Sequence, residues 1–239
     1  MTGRLPLLLL PGTLCDARLW SAVLPALPPE VACTRVEWGE VADAGAAARR
    51  VLASAPPRFA LAGMSMGGSV ALEMCALAGD RVAGLALVSS QPHGEPAERT
   101  RARAEWVEFA RTQGIEALVH EHLWAQYVHP GRRGDEALLR TILEMACDAG
   151  LAAFERQHRL LASRRDHAAT LASLEVPVLI AGGDSDTLCA PALQARMAGL
   201  ARRASRVEFS GCGHFSPLEA PAPLAAALCD WLAASSRGP

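Results

Sequence analysis

The chain has 239 residues, 51% apolar and 20% charged, enough apolar material for one large folded domain and too much for a disordered chain. Its 25 acidic and 23 basic residues leave a net charge of −2, which excludes an electrostatic pull toward nucleic acid or an anionic membrane surface. The basic residues are all Arg, and neither Lys nor Asn occurs, so a Walker lysine, a Schiff-base lysine, a Ser–Lys pair and an N-glycosylation acceptor are excluded.

Short apolar runs bounded by Gly or Pro recur along the chain. In order, the expected strands are Leu5–Leu10, Ala32–Trp38, Phe59–Ala62, Leu85–Ser89, Val176–Ala181 and Arg206–Phe209. Helical patterns fall between them, near 16–26, 44–54, 66–78, 191–201 and 217–234. Alternation of this kind predicts an α/β fold with a mostly parallel sheet covered on both faces. Leu5–Leu10 is too short for a signal peptide, lacks a small-x-small cleavage site and runs into Pro11-Gly12. It reads as a strand. No apolar run is long enough to span a membrane. Seven cysteines, an odd number without a C-x-x-C pair, argue against a disulfide framework or zinc ribbon and for the cytoplasm. Ser235 to Pro239 reads as a frayed tail.

The alternation breaks between residues 93 and 173, where helical patterns continue with interruptions at Gly114, Pro130-Gly131, Gly134 and Gly150. Ligands of open α/β sheets bind at the carboxyl ends of the strands. The expectation is a core of 1–92 and 174–239 with a helical cap of 93–173.

Gly63-Met64-Ser65-Met66-Gly67 fits G-x-S-x-G. It follows the Phe59–Ala62 run and precedes a helical pattern, the strand–turn–helix context in which such a serine projects from a tight, strained turn. A Cβ at 63 or 67 would collide where strand and helix approach, and Gly68 eases the packing further. A serine hydroxyl needs a base, and the base an orienting acid. Gly211-Cys212-Gly213-His214 follows the last expected strand and offers the base as His214. The acid falls after the preceding strand, in Gly182-Gly183-Asp184-Ser185-Asp186, where spacing alone does not choose between Asp184 and Asp186. Oxyanion donors are expected from the backbone N–H of Met66 and from the loop Pro11-Gly12-Thr13-Leu14.

These segments together resemble the α/β-hydrolase superfamily in its small, capped, esterase- and lipase-like bacterial branch. LLLLPGT (7–13) resembles the first-strand motif, AGMSMGGSVALEM (62–74) the nucleophile elbow, VPVLIAGGDSDTLCAP (176–191) the acid-bearing strand and turn, and CGHFSPLE (212–219) the histidine loop. The resemblance implies an α/β-hydrolase fold and selects Asp186 over Asp184. It also carries the second oxyanion donor to Thr13. Three departures stand out. Pro11 occupies the place usually held by His, and Ala190-Pro191 stands where Pro-Pro is common. Few residues precede the motif strand, so a sheet of about six strands is expected.

The implied activity is that of a serine hydrolase. Ser65, His214 and Asp186 would cleave a carboxylic ester or related acyl bond of a small molecule through an acyl-enzyme. The same residues could serve an acyl thioesterase, or a lactone or C–C bond hydrolase; a slow or non-catalytic ligand-binding receptor on this fold is the reading of another class. No cofactor is implied. His120 and His122, two apart, do not share a helix face as metal ligands, and no metal site is expected. Trp106, Trp124 and Tyr127 are the cap's large rings and candidates for the substrate pocket. Trp20 and Trp231 read as core. Ser216-Pro217-Leu218-Glu219 reads as a capping box, giving Glu219 a structural part. The expected partner is a small acyl substrate, without nucleic acid or membrane, for a monomer or homodimer.

Overall fold

The computed structural model describes residues 5–237. Six strands form one parallel sheet in the order β2-β1-β3-β4-β5-β6. They are β1 (Leu7–Leu10), β2 (Cys33–Arg35), β3 (Phe59–Met64), β4 (Val82–Val88), β5 (Val178–Gly183) and β6 (Ala204–Phe209). The four inner strands are buried throughout their length. Their near-continuous apolar runs follow from coverage on both faces. Leu7, Leu9, Ala60, Ala62, Ala86 and Leu179 point into one core cluster, and Leu8, Leu10, Leu61, Leu85, Leu87 and Ile180 into the other, the alternation a pleated strand imposes.

Helices α1 (Ala44–Ser54) and α2 (Met66–Ala78) match the sequence pattern residue for residue. Asp43 starts α1 by accepting the Ala46 N–H at 2.8 Å, an ordinary N-cap. Between β4 and β5 the chain is helical: α3 (Ala97–Gln113), α4 (Ile115–Leu118), a π-helical turn over Val119–Leu123, α5 (Trp124–Tyr127), α6 (Glu136–Ser163) and α7 (Ala168–Ser173). Gly150 kinks α6 with φ 72° and ψ 176°. After β5 come α8 (Pro191–Leu200), α9 (Ser216–Glu219) and α10 (Pro221–Ser236). No helix among the described residues is long and apolar enough to cross a membrane.

Several expectations change. The 16–26 helix is replaced by two 3₁₀ turns, Ala17–Trp20 and Leu24–Ala26; Pro25 removes a donor where a continuous helix would need one. The 217–234 helix breaks at Ala220 (φ −136°, ψ 52°), because Pro221 drives its predecessor out of the helical region. Ser216 does not cap: the cap position is Phe215, without a side-chain cap bond, and the Ser216 hydroxyl instead lies 3.0 Å from that of Ser89. Strand β4 begins three residues before Leu85, at Val82, and runs through Gly84. A Cβ on Gly84 would lie 2.2 Å from the Ser235 hydroxyl, so the glycine makes room for the end of α10. Ser235 is accordingly buried in helix rather than frayed; residues 238 and 239 of the expected tail lie outside the described residues. Trp20 and Trp231 are core as expected.

Candidate active site

The chain turns sharply at the end of β3. Ser65 sits at φ 52°, ψ −116°, a left-handed backbone that costs an ordinary residue on the order of 1–3 kcal/mol. Packing holds it there. The Ser65 N–H donates to Val88 O at 3.0 Å, and the Ser90 hydroxyl donates to Ser65 O at 2.8 Å. A Cβ on Gly63 would lie 2.5 Å from Gly67 O, and one on Gly67 only 2.3 Å from Leu10 O. Gly67 therefore admits the end of β1 rather than relieving its own strand. At Gly68 a Cβ would meet the Ser90 side chain. The other non-glycine residues with positive φ are Leu14, after β1, and Ser89, after β4. Among the described residues, such backbone strain thus gathers at the carboxyl edge of the sheet.

Three side chains from three strand ends meet in a line. Ser65 Oγ lies 2.9 Å from His214 Nε2. His214 Nδ1 lies 2.9 Å and 3.0 Å from the two Asp186 carboxylate oxygens. Both His214 and Asp186 are buried. Since the carboxylate only accepts, the Nδ1 nitrogen carries the proton and Nε2 is left to accept from the serine hydroxyl. Asp186 Oδ1 also accepts the Leu188 and Cys189 N–H groups at 2.9 Å and 2.8 Å. Burial opposes its charge, but the His214 imidazole and these two donors prevail and hold the carboxyl below its ordinary value.

Asp184, two residues earlier, faces away from this line. Its carboxylate accepts the N–H groups of Gly211 at 3.0 Å and Cys212 at 3.3 Å, bracing the histidine loop. Glu219 adds a second brace. It takes the N–H groups of Gly213 and Phe215 at 3.1 Å each and that of His129 at 2.8 Å. The His214 N–H donates to Tyr127 O at 2.6 Å. A Cβ on Gly213 would strike that carbonyl.

The other expected residues divide. Thr13 lines the cleft around Ser65, and a Cβ on Gly12 would touch Met64, so the β1 loop presses against the elbow. Within the described residues no acceptor takes the Met66 or Thr13 N–H. Tyr127 lines the cleft, its ring centroid 5.3 Å from that of His214. Trp124 lines an adjoining apolar recess with Tyr127, Phe215 and Met145, and its indole donates to Arg133 O at 3.1 Å. Trp106 is packed against the core cluster and lines neither space.

Sequence reasoning missed Gln157 and three arginines. Gln157, buried on α6, accepts the Leu14 N–H at 2.8 Å and sets the β1 loop; nothing in the local sequence marks it. Arg99, Arg103 and Arg164 line the cleft. Glu95, Arg99 and Arg103 are spaced four apart, a signal that could have placed them on one side of a helix start. Donor atoms of Asp186, Cys189 and His214 approach within 4.8 Å of one another. Burial, with the nearby Asp186 charge, pushes the Cys189 thiol far up. That protonated sulfur is a poor ligand, while the other two groups are already bonded together. Cys15 and Cys212 are pushed up to about 12, chiefly by burial, so neither is a thiolate at neutral pH.

A model of the alpha/beta hydrolase family matches residues 7–227. Among curated proteins no sequence matches the chain. Solved structures do. A thermophilic esterase from Thermogutta terrifontis, at 24% identity and a TM-score of 0.85, pairs 97% of this chain with 90% of its own. The enol-lactonase of Burkholderia xenovorans LB400, at 19% identity and a TM-score of 0.86, pairs 96% with 92%. MenH from S. aureus, at 17% identity and a TM-score of 0.84, pairs 97% with 94%. At these identities the likeness is one of fold.

Proposed function

The chain belongs to the alpha/beta hydrolase family, and from that premise we propose that it is a serine hydrolase cleaving a carboxylic ester of a small molecule. The observation that carries this reading is the unbroken line Ser65 Oγ–His214 Nε2–Asp186, with both links at 2.9 Å. His214 Nε2 takes the serine proton as Oγ attacks the carbonyl carbon, then returns it to the departing alcohol oxygen. Asp186 keeps Nδ1 protonated and stabilises the imidazolium that forms. The Met66 and Thr13 N–H groups hold the oxyanion. Water, activated by the same imidazole, then splits the acyl-enzyme and frees the acid and the serine. An esterase and an enol-lactonase among the structural relatives favour an acyl–oxygen bond.

In this reading residues 1–92 and 174–239 supply the chemistry and the cap, 93–173, supplies the walls. The cysteines, none of them in a disulfide, fit a reducing compartment. The test is covalent labelling with a fluorophosphonate followed by peptide mapping, alongside a hydrolysis screen of esters, thioesters and lactones. Labelling of Ser65 with turnover of esters is expected. Absence of both points to a binding protein on the same fold.

A further inference from the structure

The wall facing Ser65 is cationic. Arg99, Arg103 and Arg164 line the same cleft as Ser65 and His214. Arg99 and Arg103 stand one helical turn apart on α3, and Arg164 ends α6. The Arg103 and Arg164 side chains are 17% and 5% exposed, and both pair with Glu95, whose side chain is wholly buried. Among the described residues Arg99 has only neutral partners. One of its nitrogens lies 3.5 Å from Leu188 O. With the Gln91 amide oxygen turned toward the arginines, that oxygen accepts from Arg99 Nη1 at 3.0 Å and from Arg164 Nη2 at 2.9 Å. One glutamine thus holds two guanidinium groups side by side. The Arg164 Nε is buried without a hydrogen-bond partner. Burial lowers the Arg164 pKa; Glu95 opposes this, while Arg103 and Arg99 lower it further. Three like charges crowded at a half-enclosed cleft are costly unless an anion joins them.

The charges also select the anion. Glu95 is shared by Arg103 and Arg164, and among the described residues Arg99 is the one of the three that pairs with no carboxylate. A single unpaired guanidinium calls for a single negative charge, and its planar fork matches a carboxylate in shape as well as charge.

We propose that the cleft binds substrates carrying a carboxylate in addition to the scissile bond, with Arg99 as its principal partner and Gln91 and Arg164 fixing Arg99. This rests on the serine-hydrolase reading for the scissile bond but not for the anion site itself.

The test uses half-methyl esters of succinate, glutarate and adipate, each against the isosteric neutral methyl ketone, with hydrolysis followed by pH-stat. The wild type should favour the best half-ester in kcat/KM by about ten- to hundredfold, the range for a hydrogen-bonded charge. The ratio should collapse toward one in Arg99→Met and be partly kept in Arg99→Lys. Calorimetry on Ser65→Ala reads the anion site without turnover: glutarate should bind, more tightly than inorganic phosphate, and the double variant Ser65→Ala/Arg99→Met should not bind it. Hydrolysis of both ester types without a charge preference, or a preference untouched by Arg99→Met, overturns the inference and leaves the hydrolase reading standing. Arg99-dependent glutarate binding without any hydrolysis or Ser65 labelling supports the anion site and removes the hydrolase reading. Tighter binding of phosphate than of glutarate overturns the choice of carboxylate.

Discussion

The two walls of the cleft are assembled by different means. On the sheet side, Ser65, His214 and Asp186 are aimed largely by backbone, with the Asp184 and Glu219 carboxylates bracing the histidine loop. Leu188 and Cys189 N–H groups seat Asp186, the Tyr127 carbonyl seats the His214 backbone, and the Val88 carbonyl holds Ser65. On the helical side, the guanidinium groups are aimed by other side chains, Gln91 and Glu95. Backbone bonds survive most substitutions of the residues that supply them. Side-chain bonds do not, so the first wall is robust to sequence change and the second is free to vary. The proposed reading puts the chemistry on the robust wall and substrate choice on the adjustable one.

The strongest way to break this comparison is at Ser65. Ser65→Ala should unfold like the wild type and lose ester turnover by several orders of magnitude, with residual enhancement over water of about 10³. Near-normal kcat on a well-cleaved ester would move the chemistry elsewhere. Next are the two aspartates. Asp186→Asn should cut kcat by roughly 10⁴, since an amide can favour the wrong imidazole tautomer. Asp184→Asn should lower the unfolding midpoint with far less effect on kcat, because it removes an acceptor from the Gly211 and Cys212 N–H groups. Steady-state kinetics beside thermal unfolding separates the two.

The helical wall should respond more gently. Tyr127→Ala should shift the preference between short and long acyl chains by about 1–3 kcal/mol in kcat/KM terms. Trp106→Ala, at a ring outside the cleft, should leave that profile unchanged. A matching shift from Trp106 would mean that the wall reads substrate through its packing rather than its lining.

The last effect is one of pH, and it acts on stability alone. His158 is buried on α6 against the Phe154 ring, centroids 4.1 Å apart. Burial, then the Arg103 charge, lowers its pKa to about 3. The unfolded chain protonates the same ring near ~6.5. Between those values the unfolded state holds a proton that the native state lacks, so stability falls as the pH drops, by up to about 1.4 kcal/mol per pH unit. Above about 6.5 the term vanishes. His158→Leu should flatten the slope of urea-unfolding stability between pH ~4 and ~6.5. Asp186, whose pKa is lowered, is stabilising above its unfolded value of ~3.9 and loses that contribution only at lower pH.

The same division explains what was legible in the sequence. Ser65 is marked by the glycines its turn requires, and His214 by a glycine that lets the loop reach Tyr127. Local pattern also gave the six strand segments and the bounds of α1 and α2. Choosing Asp186 over Asp184 needed the family resemblance, because both stand in the same turn and differ only in which neighbours their carboxylates face. Arg164 meets Glu95, Arg99 meets Leu188 and Gln157 meets Leu14 across 69, 89 and 143 residues of sequence, distances over which no local pattern operates. Gly84 looked like the edge of a strand because its counterpart, Ser235, lies at the other end of the chain.

The braces on the histidine loop carry a mechanical consequence. Residues 127–129 are bolted to residues 213–215 through the Tyr127 carbonyl, the His129 N–H and Glu219. Swinging that part of the roof outward would drag the imidazole off the serine. On the opposite side, α3 reaches the Asp186 turn through the 3.5 Å contact of Arg99 with Leu188 O, and in the proposed reading that is the side that can open to a substrate without moving the imidazole. In that reading the guanidinium that closes this side is also the one that would meet the substrate's carboxylate.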